Sequence, residues 1–192
     1  TNTGYVTFAQ NTDLVDYLQI AYLQAMNIRS IVQTALCTVI VDNHTHKLIN
    51  DKHKFVFDHI ILIDNDYNTE KSTWKLANEC QIFDLTPYDY TIKVESDLWF
   101  TRSIKHWINL LDKRDIVLST GCRTYKDSIS TNRHYRKFFD DNNLPDVYQG
   151  FMYFRYSQIA SEFFLTAQRI YRNWEYLKNN VLKNWEIIKA VV

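Results

Sequence analysis

The sequence predicts an α/β protein built on a doubly wound, mainly parallel sheet flanked by helices. Two observations carry that expectation. Short apolar runs rich in β-branched residues alternate along the chain with segments of helical period. Several of these runs stop abruptly at polar residues: Gln10–Asn11, Asp42–Asn43, Asp64–Asn65–Asp66 and Glu95–Ser96–Asp97. Ligands of such sheets bind beyond the carboxyl ends of the strands, so these four stops are where function is expected.

The elements follow in order. Gly4 to Ala9 alternates and reads as the first strand. Thr12 or Asp13 is expected to cap a helix running to about Asn27, with Leu14, Tyr17, Leu18, Ala21, Tyr22 and Ala25 as its buried stripe. Ala35 to Val41 and His59 to Ile63 read as buried strands, and Ser72 to Cys80 as a helix. Thr91 to Glu95 is the next strand, Arg102 to Leu111 a helix, and Asp115 to Thr120 another strand. Val147 to Arg155 reads as the last strand, and Gln158 to about Val191 as one long helical pattern.

A chain of 192 residues can bury a sizeable core, and residues 1–192 are expected to form a single domain. Its 22 basic and 22 acidic residues cancel, which argues against a broad electrostatic grip on nucleic acid or membrane. No window approaches about 18 uninterrupted apolar residues, so no spanning helix is expected. No basic stretch followed by an apolar core marks a secretory signal. Cys37, Cys80 and Cys122 lie far apart with no zinc spacing, which suits free thiols in a reducing compartment and a cytoplasmic location.

Glu95 and Asp97 stand two residues apart at a strand end, where side chains at i and i+2 point the same way. Together they could hold one hard cation, Mn²⁺ or Mg²⁺, and through it a diphosphate. The plainer reading is a solvated strand end, with Asp97 capping a following turn. Asp64–Asn65–Asp66 competes as the acidic pair, although Asp-Asn-Asp is also ordinary turn composition. His44 and His46 have no further ligand nearby in sequence, and no nucleophile elbow is present. Arg123 to Lys126 and Arg133 to Phe139 mix base with aromatic; they read either as a stacking surface for nucleic acid or as a helix turning Tyr135, Phe138 and Phe139 to the core.

Three segments carry a resemblance. Val6 to Asp13, with Tyr17 beyond it, resembles the opening nucleotide-binding segment of GT-A glycosyltransferases. Leu85 to Tyr90, leading to Lys93–Val94–Glu95–Ser96–Asp97–Leu98, resembles the approach to their DxD motif, and Val147 to Phe154 the later segment bordering the donor sugar. All three occur in the family's order, nearest to the glycogenin-like branch and to glycosyltransferase-like proteins of tailed bacteriophages.

The resemblance implies a Rossmann-like GT-A sheet and a metal-dependent glycosyltransferase using a nucleotide diphosphate sugar, with a UDP-sugar expected. It places the nucleoside at Ala9, Gln10, Asn11, Tyr17 and Asp42, the donor sugar at Gln149 and Gly150, and the metal at Asp97 and Glu95. The acceptor would be a hydroxyl of a glycan or of a modified DNA base, in a host cytoplasm if the protein is viral. The sequence departs from the family at Glu95, where Asp is usual, and at Gln149, where Asn or Ser is common. It shows no late His-x-x-Gly segment, which leaves two expectations: the protein does without that third metal ligand, or the chain is a fragment lacking a C-terminal acceptor region. No catalytic base is singled out among Asp127, Asp140, Asp141 and Asp146. The alternatives are an inactive or truncated nucleotide-binding module and a nucleotidyltransferase on a similar sheet.

Overall fold

The computed structural model describes residues 2–68, 75–123, 126–127, 136–145 and 147–184. Six strands form one sheet: β1 (Thr3–Phe8), β2 (Leu36–Val41), β3 (His59–Leu62), β4 (Tyr90–Val94), β5 (Ile116–Thr120) and β6 (Val147–Arg155). Their spatial order is β3-β2-β1-β4-β6-β5. β1 pairs in parallel with β2 and β4, and β2 with β3, whereas β6 runs antiparallel to both β4 and β5. The sheet is therefore mixed and mainly parallel, as the strand pattern predicts.

The helices are α1 (Tyr17–Ile31), α2 (Asn43–His46), α3 (Asp51–Val56), α4 (Ile82–Leu85), α5 (Lys105–Leu111), α6 (Arg136–Asp141), α7 (Gln158–Arg172) and α8 (Trp174–Asn180), with a 3-10 turn at Ala77–Gln81. Alternation sorts the strand side chains into two cores. One contains Tyr5, Val39, Val41, Ile92 and Val94 with Leu18, Ala21, Ala25 and Ile28 of α1. The other contains Val6, Phe8, Ile40 and Met152 with Ile82 and Phe83 of α4 and Ala160 and Phe164 of α7.

Several local expectations change. Helix α1 starts at Tyr17, because Asp16 rather than Thr12 or Asp13 caps it by accepting from the Gln19 N–H at 3.0 Å. Leu14 lies before the helix and is 86% exposed, so it leaves the buried stripe. The long C-terminal pattern breaks at Asn173, dividing α7 from α8, and residues 185–192 lie outside the described ones. Of the helix expected at Ser72 to Cys80, residues 72–74 also lie outside; Ala77 to Gln81 form the 3-10 turn.

Candidate donor-site cleft

Because β1 and β4 are parallel neighbours, their carboxyl ends lie side by side. A cleft of about 150 Å³ opens there, lined by Phe8, Gln10, Tyr17, Lys75, Leu76, Glu79, Glu95, Ser96 and Asp97. It unites parts of two polar strand ends, Gln10 and Glu95–Asp97, with the first residue of α1. Sequence spacing alone could not place these together.

The acidic segment is held from helix α1. After β4 the chain turns tightly, the Leu98 N–H donating to the Glu95 carbonyl at 3.0 Å. The Gln24 amide donates to the Glu95 carbonyl and, at 2.9 Å, to that of Leu98. Asn27 donates to the Phe100 carbonyl at 3.0 Å and accepts from its N–H at 2.9 Å. Both polar side chains are buried, at 2% and 8% exposure, and satisfied. Their signal was in the sequence: they fall in phase with Ala21, Ala25 and Ile28 on the apolar stripe. Asp97 itself is exposed and Glu95 half-buried. No hydrogen bond engages the Asp97 carboxylate among the described residues, so of the plainer reading the turn cap is not seen, whereas a solvated strand end agrees with its exposure.

A second acid sits deeper. Asp42, 2% exposed, caps α2 by accepting from the Thr45 N–H at 2.7 Å, and its other oxygen meets the Lys75 ammonium at 2.8 Å. Burial opposes its charge, but Lys75 and Thr45 outweigh that and hold its carboxyl below the usual range. Gln10 lies between, its amide nitrogen 3.4 Å from Asp42 and its oxygen accepting from Asn78 at 3.2 Å. Lys75 lines the cleft and was not anticipated, since its partner lies 33 positions away in sequence.

Lys93, in β4 two residues before Glu95, is 1% exposed and reaches Glu79 at 2.8 Å and the Gln149 carbonyl at 3.0 Å. Burial pushes the Glu79 carboxyl up by more than Lys93 pulls it down. Leu76 and Glu79 line both the cleft and a second, larger cavity of about 330 Å³ beneath α7, which Lys93, Gln149, Met152, Phe164 and Trp174 help to line.

The remaining predicted residues separate by role. Gln10, Tyr17, Glu95 and Asp97 line the cleft, and Gln149 lines the adjoining cavity. Ala9 is fully buried, its N–H donating to the Ile40 carbonyl at 2.8 Å. Asn11 is buried and committed to Thr45, Asp16 and Leu18 at 2.7 to 2.9 Å, which fixes the loop into α1. Gly150 faces the ring of Tyr148: a Cβ there would stand 2.1 Å from its Cε1. The Tyr148 hydroxyl donates to Glu95 Oε2 at 2.8 Å, and burial followed by that bond pushes the phenol above its usual range.

The competing acidic segment is a turn. Asp66 Oδ1 accepts from the Asn68 N–H at 2.9 Å and from Asn78 at 2.8 Å, while the Asn65 carbonyl accepts from Gln81 at 2.9 Å. Arg123 pairs with Asp127 at 3.3 Å, and none of Asp127, Asp140 or Asp141 lines the cleft. Asp146 lies outside the described residues, as do Thr124, Tyr125 and residues 133–135 of the base-aromatic segment. Phe138 is buried at 4%, which favours the core reading for the part described. Cys37, Cys80 and Cys122 are free.

Among the described residues no three His, Cys, Asp or Glu side chains gather as a metal site. Glu95 and Asp97 nonetheless fit a Mg²⁺ or Mn²⁺ ion held in the usual way, by one or two carboxylates with substrate phosphates and water completing the shell. No helix among the described residues is long and apolar enough to cross a membrane.

No protein-family model and no curated protein matches the sequence. Solved structures do match. The fold superposes on the galactosyltransferase LgtC in complex with donor and acceptor sugar analogs at a TM-score of 0.57 and 10% identity, covering 98% of this chain and 70% of that one. An active-site mutant of LgtC gives 0.58 at 11% identity, covering 98% and 69%. The glycosyltransferase GlyE of Streptococcus pneumoniae TIGR4 gives 0.52 at 13% identity, covering 99% of this chain and 43% of that one. At these identities the likeness shows the fold, which is that of GT-A glycosyltransferases.

Proposed function

We propose that this protein is a glycosyltransferase that binds a nucleotide diphosphate sugar in the cleft, with a divalent cation, and transfers the sugar to a hydroxyl. The observation that carries this reading is that Glu95, Asp97 and Lys75 line one cleft at the carboxyl ends of parallel strands. Two carboxylates suit a cation, and a lysine beside them suits a diphosphate. The GT-A fold of LgtC and GlyE supports the same reading.

In this arrangement Tyr17 and Gln10 flank the nucleoside, with Asn11 and Ala9 shaping the loop behind them. Asp42 acts by aiming Lys75, and direct contact with a ribose would require that pair to part. Glu95 and Asp97 would hold Mn²⁺ or Mg²⁺, which neutralises charge developing on the departing diphosphate. The sugar extends toward Gln149 and the cavity that shares the Leu76–Glu79 wall. The proposed acceptor is a hydroxyl of a glycan or a modified DNA base, and the donor a UDP-sugar.

Thermal unfolding with UDP tests this reading. A ligand at about 100 times its Kd stabilises by about 2.7 kcal/mol, a Tm rise of roughly 5–10 °C for a chain of this size. We expect that rise with UDP plus Mn²⁺ and a much smaller one with UDP and chelator. No rise with any nucleotide, with or without metal, would sink the proposal. Hydrolysis or transfer assays over a panel of nucleotide sugars then define the donor. Consumption of a nucleoside triphosphate with release of pyrophosphate would instead identify a nucleotidyltransferase.

A further inference from the structure

We propose that Tyr148 is a positioning residue for Glu95, and that Gly150 is glycine so that the Tyr148 ring can lie where this requires. This inference rests on the metal-binding reading of the cleft. Gly150 stands opposite Glu95 across the β4–β6 ladder, the Glu95 N–H donating to its carbonyl at 3.0 Å. Tyr148 precedes Gly150 by two residues, beside the register shift where Ser119 of β5 pairs with it. Its ring covers Gly150 so closely that a Cβ would meet Cε1 at 2.1 Å, Cζ at 2.4 Å and the hydroxyl oxygen at 2.6 Å. That seat brings the hydroxyl to Glu95 Oε2 at 2.8 Å.

The consequence concerns a flexible side chain. A glutamate in place of the shorter aspartate adds a rotatable bond, and an unheld carboxylate must be ordered when a cation arrives. Donation from Tyr148 occupies Oε2; among the described residues no hydrogen bond takes Oε1. An outer partner that orients a metal-binding carboxylate typically contributes 10- to 100-fold in metal affinity. The Glu95, Tyr148 and Gly150 choices are thus one device spread over two strands. The longer acid needs a tether, the tether is a tyrosine, and the tyrosine needs a residue without a side chain beneath it.

The test is Mn²⁺ binding in the presence of UDP, followed by loss of the free-ion electron paramagnetic resonance signal, for the wild type, Tyr148→Phe, Glu95→Gln and the double variant. Tyr148→Phe keeps the ring over Gly150 and removes only the donor. We expect its Mn²⁺ Kd to rise about 10-fold, with a Tm within about 4 °C of the wild type and unchanged metal-free UDP affinity. In the Glu95→Gln background the same change should have less than a twofold effect, because the group it positions is gone. Gly150→Ala should displace the ring and weaken Mn²⁺ binding to a similar degree. If Tyr148→Phe binds Mn²⁺ within twofold of the wild type, or more tightly, the positioning role is overturned while the donor-site reading stands. If the wild type itself takes up no Mn²⁺ with UDP, the metal-binding reading of the cleft falls and this inference falls with it.

Discussion

Two strand ends in this molecule carry acidic residues at the same spacing, Asp64–Asn65–Asp66 after β3 and Glu95–Ser96–Asp97 after β4. Their surroundings differ completely. β3 is at the edge of the sheet, and its acidic turn is sewn to the 3-10 segment through Asn78 and Gln81. β4 lies inside the sheet, and the acidic turn is held through its backbone by Gln24 and Asn27. At the first, the turn takes Asp66 Oδ1, and neither Asp64 nor Asp66 lines the cleft. At the second, Tyr148 takes Glu95 Oε2, and both Glu95 and Asp97 line the cleft. The two pairs therefore differ less in how many of their oxygens the fold has used than in where it places them.

That contrast can be broken in four ways. The largest effect should come from beneath β4, where Lys93→Met strands a buried Glu79; breaking one side of such a pair costs about 3–5 kcal/mol. Denaturant unfolding should show this loss, and Glu79→Leu added to Lys93→Met should recover most of it. A double variant no more stable than the single would mean that the pair is not what holds this region. Next, Asp97→Asn should reduce donor turnover by about 10²- to 10³-fold, or roughly 3–4 kcal/mol of transition-state stabilisation. Full turnover in Asp97→Asn alongside loss in Asp66→Asn would reverse the assignment of the two strand ends.

Asp66→Asn, by contrast, should act on stability alone. The weakened bonds to Asn68 and Asn78 are worth about 1–2 kcal/mol in urea unfolding, with Mn²⁺ affinity unchanged. The smallest effect is in acid. The Asp42 carboxyl is held below its ordinary value of 3.8, so its stabilisation is complete above that pH and fades as pH falls through the lowered folded value. Asp42→Asn should flatten the fall of Tm with pH below about 4. An acid limb as steep as that of the wild type would mean that other carboxylates dominate it.

The sheet was legible because each strand announces itself locally. Ile92 and Val94 on one face and Lys93 and Glu95 on the other follow from alternation alone, and the polar stops fix the strand ends. Much of the cleft was legible too, since Gln10, Tyr17, Glu95 and Asp97 all line it. What escaped was contact between distant segments. Lys75 depends on Asp42, Lys93 on Glu79, and Glu95 on Tyr148 53 positions later. Short helices escaped as well: α2 and α3, of four and six residues, are too brief to display a period. Gly150 was visible as a residue of consequence, but the sequence did not show that the close neighbour is a side chain of its own strand.

Helix α1 begins with Tyr17 on one side of the cleft and, two turns later, grips the Glu95–Phe100 backbone on the other through Gln24 and Asn27. The two walls are therefore tied to one helix. Amide exchange should reveal this as a shared opening event, with the Leu98 and Phe100 N–H groups exchanging at the rate of central α1 and not at that of a surface loop. A nucleotide that settles against Tyr17 would then quiet the acidic turn before any cation has entered it.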